Sequence, residues 1–416
     1  MLGRILILAS VVCSTCALPQ THAAPAYSVQ LDVVSEGFDK KTCWVHPRAG
    51  ILPQVSDGKD PTVVLTLNKL QLTGSDVFYA VNSMFTSDLG KKWSNPVAFP
   101  EALGRWENGD GTCRSVCDFW PKWHAKSGKL LGIGHTVWYT KDNKVMVPRP
   151  RHTAYSVYDP QSQTWSRRKN LQMPDEPRFA NAGAGSSQRY DLPNGDILLP
   201  VYFKDPDENQ YSVTVVLAKF DGETMEYVRH GNEMTVPIKR GMYEPSLTKF
   251  QDRYYLTIRG ADDGYVTSGD DGLHFDEPKK WTFDDGESLG NYETQQHWVT
   301  HSDALYLVYT RRGANNDHVF RHRAPLFMAQ VDPERLCVIR STERILVPEH
   351  GARLGNFGVT DVSPNETWVT TAEWMQTTKP NPRDFNVPLK YGANNRVYAA
   401  RIQWDTPNEL VTPSGD

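Results

Sequence analysis

A module of two neighbouring apolar strands and a turn closing on an aromatic residue recurs about six times between residues 62 and 404. Internal repetition of this kind restricts the fold more than any other property of the chain. The first copy pairs residues 62–67 with 76–81 and ends at Trp93; the second pairs 130–134 with 152–159 and ends at Trp165. The third joins 196–202 to 211–217 near Tyr227, and the fourth joins 254–259 to 265–275, closing at Phe275. The fifth comprises 305–309 with 324–332, and the sixth 367–373 with 396–404. Each run has the length of a strand and is bounded by Gly, Asn, Asp or Pro. Repeats of this size built from about four strands are propeller blades, whose radial closure leaves few exposed edges. The expected fold is therefore all-β, a six-bladed β-propeller. A further strand at 27–34 has no partner in its own segment and is expected to complete the last blade. No stretch has helical periodicity, and no linker divides the chain, so residues 25–416 are expected to form one domain.

The first residues supply one charge, Arg4, then an apolar run at 5–12 and small residues at Ala17, Ala23 and Ala24. Residues 1–24 read as a signal peptide, because the apolar run is too short to span a bilayer. A secreted or periplasmic protein is expected, with no membrane span after cleavage. Removal of Cys13 and Cys16 would leave Cys43, Cys113, Cys117 and Cys337, an even number suited to an oxidising compartment. Cys113 and Cys117 could pair across a short loop; metal binding is the weaker reading, since there is no second close pair. No metal and no cofactor are expected. A net charge of -4 gives no reason to bind nucleic acid, so any basic site must be local.

Strand order locates that site. In an antiparallel blade the start of the innermost strand, the end of the second and the start of the third lie at one end of the propeller. The residues there are Arg48 and Asp76 in the first blade, and Asp118, His135 and His152 in the second. The third contributes Gln188 and Arg189, the fourth Glu244 and Arg259. The fifth contributes His297, Arg311, Arg312 and Arg323, the sixth Asn356 and Phe357. Arginines outnumber acids, which suits a carboxylate ligand whose two oxygens match a guanidinium fork.

Two segments match an Asp-box, Ser/Thr-x-Asp-x-Gly-x-x-Trp/Phe: 86–93, with Asp88, Gly90 and Trp93, and 268–275, with Asp270, Gly272 and Phe275. Residues 158–165 look like a degraded third. With these boxes in register with the repeat, residues 40–404 resemble the sialidase (neuraminidase) superfamily. The resemblance implies an arginine triad at Arg48, Arg259 and Arg323 that grips a substrate carboxylate; strand order adds His135 and Arg189 as binding candidates. It implies Asp76 as general acid/base and Glu244 as the group that polarises a nucleophile; strand order adds His297 as a third catalytic candidate. One departure stands out: Phe357, in the innermost strand of the last blade, lies where the sialidase tyrosine is expected. The expected function is an exo-acting glycoside hydrolase on an acidic, carboxylate-bearing sugar, in which Glu244 orients a nucleophile or activates water; without the tyrosine, inverting attack by water is one of the open routes. Two alternatives are a lyase of uronic-acid glycans, with His135, His152 or His297 as base, and a non-catalytic carbohydrate-binding propeller.

Overall fold

The computed structural model describes residues 24–53, 60–72, 76–376 and 384–411. Apart from Ala24, the signal-peptide reading, with Cys13 and Cys16, lies outside the described residues. Six antiparallel sheets form the six blades. The first runs outward from Thr42–Leu52 through Thr62–Gln71 and Phe78–Thr86 to Val97–Ala98. The second is built on Cys113–His124, Lys129–Tyr139 and Thr153–Asp159. The third has a broken inner edge, Ala182–Gly183 and Tyr190–Asp191, against Ile197–Phe203 and then Ser212–Phe220. Met242–Phe250, Arg253–Gly260 and Tyr265–Gly269 make the fourth, and His297–Thr300, Leu305–Tyr309 and Leu326–Asp332 the fifth.

The sixth blade closes the ring. Gly358–Ser363, Glu366–Ala372 and Val397–Trp404 are joined by the N-terminal strand Tyr27–Ser35, which sets Tyr27 opposite Trp404 and Val33 opposite Tyr398. Only two short α-helices, Pro100–Leu103 and Asn386–Lys390, are present among the described residues.

Each blade packs both faces against neighbours, so its middle strands are apolar throughout rather than alternating. Leu305–Tyr309, for example, is buried at every position. An apolar seam fills each gap between neighbours. Val308, Leu326 and Leu346 meet Val369, Tyr398 and Ile402 between the fifth and sixth blades. Leu198 and Val215 meet Leu256 and Ile258 between the third and fourth.

Five blades close the turn after their third strand with an aspartate that accepts turn amides. Asp88 takes Lys92 N at 3.0 Å, Asp159 takes Gln161 N at 3.0 Å, and Asp221 takes Thr224 N at 2.7 Å. Asp271 takes His274 N at 2.7 Å, and Asp332 takes Arg335 N at 2.9 Å. In the fourth blade the capping residue is thus Asp271, whereas Asp270 points outward toward Arg253, 3.3 Å away. The disulfide expectation is corrected: all four described cysteines are free. Cys113 and Cys117 share one strand, which separates them by about 13 Å, too far for a bridge.

A cationic cavity on the propeller axis

The inner strands share a device that aims side chains at the axis. Register shifts interrupt pairing between Val45 and Arg48, between Cys117 and Trp120, and between Tyr243 and Ser246. Inside them His46, Asp118 and Glu244 adopt left-handed backbone, at φ 56°, 53° and 47°. Ser186 (φ 65°) and Glu293 (φ 50°) occupy the equivalent places of the third and fifth blades. Such bulges re-aim a side chain, and non-glycine residues hold this conformation only where the surroundings impose it.

Two residues further along, the chain turns into a layer that fills the axis below the bulges. Arg48, fully buried, donates Nη2 to Gln295 Oε1 at 3.1 Å and Nε to Phe357 O at 3.2 Å. Its guanidinium lies 5.5 Å from the Trp120 ring centre. Ser246 Oγ accepts from Gln188 N at 3.2 Å and meets His297 Nδ1 at 2.8 Å. The His297 ring is wedged between Trp120 (4.8 Å) and Phe357 (4.7 Å). Burial, reinforced by the Arg48 charge, holds His297 well below the usual imidazole range, so it is neutral.

Above this layer lies a cavity of about 880 Å³ with walls from all six blades, a volume suited to a small ligand. Seven arginines and Lys204 line it against three acids, Asp76, Asp118 and Glu244. Arg259 is already paired, at 2.5 Å to Glu244 Oε2 and 3.2 Å to Glu293 Oε2. Glu293 also meets Arg321 at 3.2 Å. Burial would raise the Glu293 carboxyl, but Arg259, Arg321, Arg240 and Arg323 bring it down to about 2.

Other guanidiniums lack such partners. Arg323 donates to Asn356 Oδ1 at 3.1 Å and to the Glu293 carbonyl. Burial, with the charges of Arg259, Arg353 and Arg321, sets it well below the usual arginine range. Arg353 stacks on Trp374, 3.4 Å from the ring centre, with no ion-pair partner among the described residues. Arg151 stacks on Tyr202 at 4.5 Å. The Nε atoms of Arg151, Arg323 and Arg353 have no hydrogen-bond partner, although buried polar groups rarely go unbonded.

Two further titratable groups, Asp76 and Tyr211, line the cavity. Asp76 is held by Arg149 Nη2 at 3.1 Å. Burial alone would raise its carboxyl, but Arg149 brings it below the usual carboxylate range. Tyr211 Oη accepts from Asn181 Nδ2 at 3.3 Å. Burial pushes that phenol up, yet Arg151, the Asn181 bond, Arg149 and Arg240 bring it below the usual tyrosine range. At the floor, burial lowers His46 to about 4 and His135 well below 6.5, leaving both neutral. Gly185 makes room for His135: a Cβ there would come within 1.9 Å of Nδ1.

Of the residues picked out from strand order, Asp76, Asp118, His135, Glu244, Arg259, Arg323 and Asn356 line the cavity. Arg48, His297 and Phe357 belong to the layer beneath; at Arg48 the bulge after Val45 sets which residue faces up. Arg189 is spent elsewhere, on Asp191 Oδ1 (2.9 Å), Leu131 O (2.8 Å) and Lys122 O (2.9 Å). Arg311 pairs with Glu343 at 2.6 Å, and neither it, Arg312 nor His152 lines the cavity. Strand order did not pick out Arg149, Arg151, Arg353, His46 or Tyr211. Arg353 was within its reach, since it stands at the approach to the innermost strand of the sixth blade.

No protein-family model matches the sequence. No curated protein matches it either. Solved structures do. A Dyadobacter fermentans protein of unknown function superposes with a TM-score of 0.64 at 17% identity, covering 90% of this chain and 99% of that one. NanB sialidase from Streptococcus pneumoniae gives 0.56 at 10% identity, over 92% of this chain and 71% of that one. An alpha-L-arabinanase from Penicillium chrysogenum, solved with arabinobiose, gives 0.50 at 10% identity over 93% and 100%. At such identities the likeness speaks for architecture alone, and the architecture is the six-bladed β-propeller of the sialidase type.

Proposed function

We propose that the protein is an exo-acting glycoside hydrolase that takes a carboxylate-bearing sugar into the axial cavity. One observation carries the reading: Arg323 and Arg353, buried and without carboxylate partners, face a cavity in which basic side chains outnumber acids. A ligand carboxylate supplies the charge they lack and accepts from their free N–H groups. Arg259 enters as a neighbour already balanced by Glu244 and Glu293, and Arg48 supports the floor.

The proton inventory sets the roles. Asp76 is ionised, so it serves as the base that takes a proton from water rather than as the acid. As the water oxygen bonds the anomeric carbon, the glycosidic bond breaks, and the Tyr211 phenol gives its proton to the leaving oxygen. Arg149, whose charge acts on both groups, holds Asp76 as carboxylate and makes Tyr211 the stronger acid. NMR of the first-formed anomer during hydrolysis of aryl sialosides and uronosides tests this. Inverted product is expected, and no release across the panel would sink the proposal.

A second reading rests on the two neutral histidines at the floor, His46 and His135, whose free nitrogens suit abstraction of a proton beside a uronate carboxylate. Unsaturated product absorbing in the near ultraviolet would favour this lyase reading over hydrolysis.

A further inference from the structure

We propose that Cys117, Asp118 and His135 form a binding site for a divalent transition-metal ion of the zinc type on the cavity floor. The three residues offer a sulfur, a carboxylate oxygen and a ring nitrogen that all lie within 4.8 Å of one another. All three are buried, at 2%, 7% and 5% exposure, and all three line the cavity.

The backbone is arranged to bring them together. Consecutive residues of a regular strand point to opposite faces, which would separate Cys117 from Asp118. The register shift between Cys117 and Trp120, with Asp118 at φ 53°, cancels that alternation. Cys117 stands directly across from His135 on the neighbouring strand.

Two further features point to an ion. Both ring nitrogens of His46 have no hydrogen-bond partner, although His46 is only 2% exposed and stands 3.5 Å from Asp118 Oδ1. Asp118 is also held as ligating carboxylates are held. Its Oδ1 accepts from Arg48 Nη2 at 3.1 Å and from Ser186 Oγ, while Oδ2 faces His135 Nε2 at 3.9 Å. The first oxygen is fixed by the layer below and the second is left for the ion.

Donor chemistry selects the metal. Magnesium and calcium take oxygen donors, whereas a thiolate, an imidazole and a carboxylate together suit zinc. On binding, the Cys117 thiol passes its proton to solvent as the sulfur–metal bond forms. The dication, one thiolate and one carboxylate then sum to zero, one positive charge more than the empty site with its ionised Asp118 and neutral Cys117. Three protein ligands leave a position open to the cavity, the pattern of catalytic rather than structural zinc. The sequence reading discounted a metal because the Cys113 and Cys117 pair lacks a second pair; the partners of Cys117 are instead a carboxylate and an imidazole.

Cobalt(II) titration of the full-length, chelator-treated protein tests the assignment without any substrate, so its outcome is independent of the glycosidase reading. One equivalent should bind, with visible ligand-field bands and a near-ultraviolet sulfur-to-cobalt band. Cys117→Ser should remove the sulfur band, and Cys113→Ser should keep it. His135→Gln should weaken binding at least tenfold, with circular dichroism confirming the fold of each variant. Zinc should also raise the melting temperature of the wild type and not that of Asp118→Asn, which keeps the test open if Cys117→Ser fails to fold. Absence of stoichiometric uptake by the wild type, or a sulfur band that survives Cys117→Ser, would overturn the proposal.

Discussion

Replacing Arg353 with Met should make the protein more stable and a poorer binder of carboxylates. Burial, and then the nearby Arg321 charge, lower the Arg353 guanidinium from 12.5 to about 9. Keeping it charged in the ligand-free protein therefore costs on the order of 5 kcal/mol. The stack on Trp374 returns about 1–2 kcal/mol, and a Met side chain keeps much of that contact. A net gain of about 3–4 kcal/mol is expected from these two figures, read as a higher midpoint in urea at pH 7. A charge-assisted pair to a ligand carboxylate contributes about 1.5–3 kcal/mol, so calorimetry with sialate and glucuronate should show affinity lowered ten- to a hundredfold. Arg259→Met is the control. It strands Glu244 and Glu293 without their shared cation, and breaking a buried pair in this way costs about 3–5 kcal/mol. An Arg353 variant that melts lower and binds as well as the wild type would show that the guanidinium is structural, and the acidic-sugar reading would lose its support.

Further outcomes follow from the same geometry. Tyr211→Phe should keep the fold and carboxylate affinity but lower kcat by about a hundredfold or more; an unchanged kcat would remove Tyr211 from the chemistry. His297 has a folded-state value well below its unfolded 6.5, so its stability contribution is complete above pH 6.5 and is lost as the pH falls. The loss is about 1.4 kcal/mol per pH unit, so between pH 6.5 and 5 the wild type should lose about 2 kcal/mol more than His297→Gln, measured by urea midpoints. Gly185→Ala should displace His135, given the 1.9 Å approach, costing about 1–3 kcal/mol in thermal denaturation. Deleting Tyr27–Ser35 strips the outer strand from the closing blade and should lower the single melting transition of the whole domain; a truncation that melts as the full chain does would refute closure. N-terminal sequencing of exported material should find an end near residue 25; intact Met1 retained in the cytoplasm would count against export.

The blades were legible because strands packed on both faces read as unbroken apolar runs, and because aspartate-capped turns follow them at a regular spacing. The caps were only partly legible. Asp221 and Asp332 do the same work as Asp88 without the Gly and aromatic positions that mark an Asp-box. The fourth blade offers two adjacent aspartates, and the turn uses Asp271. The site was legible at the level of strand ends, which is why Asp76, Glu244, Arg259 and Arg323 arrive in one cavity. It was not legible at the level of single residues on the inner strands.

There the cause is the bulge. Side chains alternate with period two, so a local shift of register exchanges the residue facing the cavity with one facing the layer below. In the first blade the shift between Val45 and Arg48 sends His46 to the cavity wall and Arg48 to the layer below. In the sixth, without a register shift at this point, Asn356 lines the cavity and the next residue, Phe357, is fully buried beneath it. Phe357 therefore says little about whether the cavity has a hydroxyl for proton transfer, since no residue at that position would reach it. A Phe357→Tyr substitution places the new hydroxyl in the buried layer that holds His297, where an unbonded polar group costs about 1–3 kcal/mol. It should lower stability and leave turnover where Tyr211 sets it. A Phe357→Tyr variant that gained activity would mean that the layer opens to substrate, and the division between cavity and plug on which the proposed roles rest would fail.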